Sequence, residues 1–600
     1  MKRTPVLALL LLAAPVLAAS APARTDDQDA RLKAFLDTAY DTRVALSPER
    51  MTLLGLKREY GRLDDYTPTS AERELRFLLG QRAQLERQFD VATLGPQARL
   101  SYQLFKGDVD RFEQTTRWRG HRFVFSALDM PTSNLPLFLI NNHRIDTTAD
   151  AEAYVSRLRE VERVMAEISA DLTTRAASGA IEPQFIFEAA ISSARQVIAG
   201  APFVDGPDTP LWADFKTKLS KLDVQGAARN RLLADAEAAL RGPFRRGYEH
   251  IIATLESVAK RASSNDGVWR LPNGAAYYAS RVAISTTTAL SPDEIHNIGL
   301  QEMARIQEEM RALMRKLEFQ GSLQEFFAHI KTAPQFHYPN SEAGRAEYLV
   351  DASAVVDEVM SKAPAKFRRL PKAQLEVRAV EKWREASAPI AFYNVGAPDG
   401  SRPGIVYINL ADLSQTLKPQ LASIACHEGA PGHHFQFSLA SELEDLPKFR
   451  RRGNYFAYGE GWGMYAESFC DELGIYQDPY SKLGQLAGDA LRAARLVADT
   501  GVNAKRWTRE QARNYLRENT LLSDLDASRE VDRYLSVPGQ ATSYKIGHLK
   551  ILELRRRAEA ALGTRFDIRD FHDVVLANGA LPLDVLEQQV VAYISRVKNP

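Results

Sequence analysis

Ser291-Pro-Asp-Glu294 constrains the folding of this chain more than any other short stretch. The serine is a helix N-cap, the proline suits the first helical position, and a glutamate three residues on can return a hydrogen bond to the cap. Behind it Ile295, Ile298, Met303, Ile306, Met310, Leu313 and Leu317 follow an approximate 3.6-residue rhythm. That spacing predicts a long helix with one buried face. Thr69-Ser-Ala-Glu72 reads as a second capping box, and residues 150–195 and 225–262 are rich in the helix formers Ala, Glu, Arg and Leu. Three stretches interrupt the pattern: a Gly/Pro-rich loop over 199–212, two turn signals within 263–275, and a turn cluster over 397–404. Directly after the last, Ile405 to Leu410 is β-branched and aromatic and reads as a strand. The expected fold class is mainly α, with a few short strands near the functional centre.

A chain of 600 residues is too long for one simple core. About 100–200 residues per domain would give three or four units, but large helical enzymes often merge such units. The expectation is an N-terminal helical region over 19–280 and a catalytic helical region over 281–600, joined in one continuous bilobed body. Lys and Arg total 77 against 76 Asp and Glu, a net charge of +1. So even a balance points neither to nucleic acid nor to an anionic membrane surface as partner.

The first residues read as an export leader: Lys2 and Arg3, then the apolar run Val6 to Leu17, with cleavage expected after Ala18. The run is short of the roughly 20 apolar residues that span a bilayer. No cysteine follows it, which argues against lipid attachment. The expected destination is periplasmic or secreted, with no membrane partner after cleavage. Cys426 and Cys470 are the two cysteines. That number does not make a disulfide scaffold. One bridge stays open, and two buried thiols are the expectation.

Three of the eleven histidines fall between 427 and 434, in the run His427-Glu-Gly-Ala-Pro-Gly-His433-His434. In many zinc hydrolases two imidazoles on a helix bind the ion, and the Glu beside the first acts as base. The usual second histidine stands four residues after the first, and here Pro431 occupies that place. His434, seven residues after His427, returns to within about 20° of it on an ideal helix, while His433 lies about 120° away. Proline and glycine at 431–432 loosen the helix, and a bulge absorbing two residues would favour His433. A third ligand is offered by Tyr458-Gly-Glu460-Gly-Trp462-Gly-Met-Tyr465-Ala-Glu467, where either glutamate could face the ion. Two histidines and a carboxylate leave an open position for water.

These motifs, with Arg533-Tyr534, Pro538-Gly-Gln-Ala541, Tyr544-Lys-Ile-Gly547, Phe571-His572 and Gly579-Ala-Leu-Pro-Leu583, resemble the bacterial family catalogued as domain of unknown function eight-eight-five. That family is similar to helical gluzincin peptidases of the angiotensin-converting enzyme and carboxypeptidase Taq type. The resemblance implies a large bilobed helical zinc-peptidase-like fold and His427, His433 and Glu460 as Zn²⁺ ligands. His434 and Glu467 stand as alternates, with Glu467 otherwise behind the ligands. It implies Glu428 as general base, Tyr544 and His572 as candidate oxyanion donors, and the strand over 405–410 as the one that pairs with an extended peptide substrate. Arg533, Lys545 and Arg402 are candidates for a substrate carboxylate, with a plain surface charge preferred for Lys545. The function expected is an exported zinc metallopeptidase acting on peptides. The alternative is a metal- or peptide-binding protein on the same scaffold, without turnover. Substrate length and oligomeric state stay open.

Overall fold

The computed structural model describes residues 25–262, 266–382, 385 and 389–599. The expected leader, and Asn265 of the first turn signal in 263–275, lie outside the described residues. Among the described residues, helices predominate and there is one three-stranded sheet. The molecule is mainly α, as the helix signals predict.

The N-terminal helices Thr148–Ala177, Gln184–Val197 and Arg245–Ala259 bury Tyr154, Val161, Met165, Phe187 and Tyr248 in a shared core. The expected capping box at Thr69 is not used. That helix begins earlier, at Pro68, because Pro68 supplies the preorganised first turn and Asp65 takes both the N–H and the hydroxyl of Thr67. Ser291 does form its box, opening α1 (Pro292–Lys316), with Ile295, Met303, Ile306 and Met310 buried.

The site-bearing elements follow: α2 (Glu342–Lys362), β1 (Leu375–Ala379), β2 (Ala391–Asn394), β3 (Gly404–Ile408), α3 (Leu421–Glu428), α4 (His433–Glu442), α5 (Phe456–Glu472), α6 (Pro479–Ala504), α7 (Asp524–Ser536), α8 (Ser543–Leu562) and α9 (Ile568–Leu576). The α1 methionines pack on Ala490, Ala493 and Ala494, whose small side chains let α1 and α6 approach closely. Trp462, Tyr465 and Phe469 of α5 anchor another core that takes Leu100 and Leu104 from the N-terminal part and Val575 and Leu586 from the C-terminal end.

Sheet order is β1-β3-β2, with β3 parallel to β1 and antiparallel to β2. The strand expected after the turn cluster is therefore present, but it is the central strand. All five of its residues are buried and both its backbone edges are used. It cannot add a peptide substrate, contrary to expectation.

Lys545 also departs from expectation. It is no surface charge: it lies fully buried between Asp489 of α6 and Glu302 of α1. Burial would raise the Asp489 carboxyl, but Lys545, His548 and Arg305 outweigh it and hold it well below the usual carboxylate range. A depressed carboxyl contributes stability that is present above its unfolded pKa, about 4, and is lost as pH falls below it. Lys545→Met removes the buried cation between the two carboxylates and leaves both to Arg305, and breaking a buried pair costs about 3–5 kcal/mol. The expected result is a markedly lower thermal midpoint at pH 7, with a smaller gap from wild type at pH 3. An unchanged midpoint at pH 7 would contradict it.

Candidate metal centre

The metal-type motif is split between two helices. α3 ends at Glu428, the chain turns through Gly429-Ala430-Pro431-Gly432, and α4 starts at His433. The expected bulge within one helix is thus a full break, because Pro431 has no N–H to continue the ladder. The break is held from outside: the Trp462 indole N–H points at the carbonyls of Pro431 (3.0 Å) and Gly432 (3.2 Å).

This turn brings the rings of His427 and His433 to a centroid distance of 4.9 Å, nearly perpendicular at 85°. Their Nε2 atoms lie 3.4 and 3.6 Å from one oxygen of Glu460 on α5. The three candidate ligand atoms fall within 4.8 Å of one another. Bonds of about 2.0–2.1 Å at tetrahedral angles put ligand atoms about 3.3 Å apart, so the two measured edges suit a small ion of that geometry. Both outer ring nitrogens are occupied. His427 Nδ1 lies 2.7 Å from Glu467, and His433 Nδ1 lies 3.1 Å from the Gln436 side-chain oxygen. With acceptors at Nδ1, each ring in its neutral form presents Nε2 and its lone pair to the cluster, the arrangement that outer partners impose at metal sites.

Burial disfavours a charged His427, but Glu460 and Glu467 outweigh it and raise the imidazole to about 10. Burial likewise opposes ionisation of Glu460, yet the two histidines hold it well below the usual carboxylate range. Such a pocket is built to hold positive charge, whether a proton or a metal ion. Close approach is possible because α5 carries glycine at 463. A Cβ there would stand 2.6–2.9 Å from three atoms of the His427 ring.

Glu428 is half-buried at the end of α3, beside His427, and among the described residues its carboxylate makes no hydrogen bond or ion pair. Its oxygens are free for water. His434, the alternate ligand, is not brought to the cluster. Its Nδ1 meets the Tyr393 hydroxyl at 2.9 Å, and its Nε2 faces the Ala373 backbone without a well-aligned partner. Burial lowers it to about 4, so it is a neutral imidazole. Glu467 does not join the ligand atoms either, since it sits behind His427. Ser423 donates to it at 2.6 Å and Arg492 approaches at 3.4 Å.

His572 is corrected as an oxyanion donor. Its Nδ1 lies 2.9 Å from the Lys366 carbonyl and its Nε2 lies 2.9 Å from the Tyr465 hydroxyl, with the ring stacked on Phe367. Burial lowers it to about 3, so it is neutral and its one N–H is already spent on Lys366. Tyr544 is half-exposed at the start of α8. Its oxygen accepts from Arg533, which leaves its own O–H free to donate. Arg495 lies over its ring at 4.6 Å, one α6 turn beyond Arg492 at the cluster. Arg533 is committed to Gln540, Glu530 and Tyr544, and Arg402 to the Val395 carbonyl in an exposed turn.

Sequence reasoning missed Ser423, Gln436, Arg492 and the bridge. Gln436 stands three residues after His433 and Ser423 four before His427, helical spacings that were legible signals. Arg492 reaches in from another helix and carried no local signal. Cys426 and Cys470 form a disulfide, not two thiols, tying α3 to α5 directly beside His427. The two residues face each other because both helices converge on the cluster.

Among known proteins, the sequence pattern of the bacterial proteins of unknown function designated DUF885 matches residues 48–590. The chain belongs to this family. No curated protein matches it. The crystal structure described as "the putative lipoprotein from Colwellia psychrerythraea" is 31% identical, with a TM-score of 0.86, covering 96% of this chain and 100% of that one. A "putative lipoprotein of unknown function from Shewanella oneidensis" is 18% identical, with a TM-score of 0.71, covering 93% and 99%; at that identity it speaks for a shared fold alone. The DUF885 match spans the sheet, the split motif and α5 through α9, so the whole centre lies within the family region.

Glu467→Gln tests the support behind the ligands. Loss of an outer partner typically lowers metal affinity by about 10–100-fold. We expect that range here by competition with a chromophoric chelator, with the fold intact by circular dichroism. Unchanged affinity would mean that Glu467 only fills space.

Proposed function

We propose that this protein is a zinc-dependent peptide hydrolase of the cell envelope or its exterior. The observation that carries the reading is the convergence of His427 Nε2, His433 Nε2 and a Glu460 oxygen within 4.8 Å, beside an unpartnered Glu428. Two histidines and one carboxylate suit zinc and leave a position open to solvent and substrate. When bound, the ion supplies Lewis acidity toward a carbonyl and toward water.

The chain's own residues supply the rest. Glu428 lies beside the cluster without joining it, so it is placed to accept a proton from water and return it to the leaving amine nitrogen. Tyr544 offers a free O–H to the developing oxyanion. Glu467, Ser423, Arg492 and Gln436 fix the two imidazoles, so little reorganisation is needed. β2 has one strand neighbour, β3, and its other edge pairs with no strand among the described residues. That edge suits an extended peptide, with main-chain hydrogen bonds giving affinity.

The basic and apolar start of the chain and the lipoprotein description of the Colwellia psychrerythraea structure support an exported or envelope-associated location. Among the described residues no helix is long and apolar enough to cross a membrane. Within that setting, the periplasm or the medium is our reading. The test is elemental analysis of the purified protein together with cleavage of an internally quenched peptide library, with and without a chelator. About one zinc per chain and chelator-sensitive cleavage are expected. A metal-free protein with no cleavage after zinc loading would refute the reading.

A further inference from the structure

His434 is left over by the metal centre, yet it is fully buried and points away from its neighbour His433. Its Nδ1 meets the Tyr393 hydroxyl of β2 at 2.9 Å, and Ser438, one α4 turn on, lies 3.0 Å from the same hydroxyl and 3.4 Å from Nδ1. The first residue of β3 closes the group. Gly404 packs so tightly here that a Cβ would collide with the Tyr393 hydroxyl and come within 2.9 Å of His434 Nδ1. Three elements, β2, β3 and α4, therefore meet at one polar point. The Tyr393 ring also stacks on Phe437 at 6.3 Å, and Phe437 lies 5.4 Å from the His433 ring. An edge strand is thus joined to a candidate ligand by one hydrogen-bonded group and one pair of aromatic contacts.

We propose that His434 is a positioning residue that straps edge strand β2, through Tyr393 and Ser438, to the helix carrying His433, and so sets the distance between a strand-bound peptide and the metal cluster. This rests on the peptidase reading and on β2 as the peptide edge. The ladder holds β2 to β3, but apolar packing alone would let that sheet slide over α4, whereas hydrogen bonds constrain distance and direction together. A buried imidazole and phenol also resist separation, because each would be left unpaired. Positioning matters at this scale, since a displacement of about 1 Å can lower a rate by about 10².

The test uses the full zinc-loaded protein with His434→Phe, which keeps the ring and removes the acceptor, alongside Tyr393→Phe and the double variant. His434→Asn, whose side-chain oxygen can stand in for Nδ1, serves as the conservative partner should the phenylalanine variant fail to fold. The probe is the internally quenched peptide that the wild type cleaves best, with its binding also measured on the Glu428→Gln background. His434→Phe should retain full zinc, raise KM and the peptide dissociation constant about tenfold with a smaller change in kcat, and speed hydrogen exchange at 391–394. Tyr393→Phe should do the same, the double variant should be no worse than either single change, and His434→Asn should recover most of the loss. Zinc loss in His434→Phe would make His434 a ligand and overturn the proposal, as would unchanged KM together with unchanged exchange at 391–394. A wild type that holds zinc but neither binds nor cleaves peptide would instead overturn the peptidase reading, and the substrate half of this proposal with it. Exchange would then still report on the strap alone.

Discussion

The Glu428→Gln variant is expected to fold, keep its metal, bind peptide, and lose hydrolysis by roughly 10²- to 10⁴-fold, the usual worth of a positioned general base. Glutamine has nearly the same shape and cannot take a proton. Glu428 stands next to His427 but outside the group of ligand atoms, so its removal should leave the cluster intact. A side-by-side assay of zinc content and peptide cleavage decides the matter. Unchanged cleavage would move the base elsewhere. Zinc loss would make Glu428 a ligand.

The second large effect concerns the ligands. His427→Ala and Glu460→Gln each remove one of three converging atoms, and each should lower zinc affinity by more than the roughly 10–100-fold lost with an outer partner. After dialysis these variants should retain little zinc and no cleavage. His433→Ala should behave likewise and His434→Ala should not, because His434 makes its contact with Tyr393, away from the cluster. Equal zinc retention by His427→Ala and wild type would reject the site. Loss of zinc from His434→Ala with retention by His433→Ala would place the ion on the other histidine. In Glu460→Gln the two imidazoles remain, so any residual zinc there measures how much the carboxylate contributes.

Much of the fold could be read from local pattern. The box at Ser291 and the rhythm behind it predict α1, and the turn cluster before Ile405 predicts β3. Both work because caps and periodicity act over a few residues. Thr69 failed for the same reason: a competing local signal, Pro68 behind Asp65 and Thr67, lay two residues upstream. The chemistry of the centre was legible as residue types, since a His-Glu pair followed by histidine and a glutamate-bearing helix is an unusual concentration of ligand groups.

By itself the sequence determined a mainly helical chain, a loosening of the metal-type helix at Pro431-Gly432, and a short set of candidate ligands around it. Tertiary structure decided which of them meet. Spacing on an ideal helix pointed to His434, but once α3 and α4 are separate helices their relative direction is set by packing against α5, where Trp462 holds the intervening carbonyls. The same convergence pairs Cys426 with Cys470 and carries Arg492 to Glu467. It also leaves Lys545 buried among carboxylates and places β3 between two other strands. Each of these depends on contacts between residues more than ten positions apart in the chain, and periodicity and capping, which act within a few turns, carry no information about them.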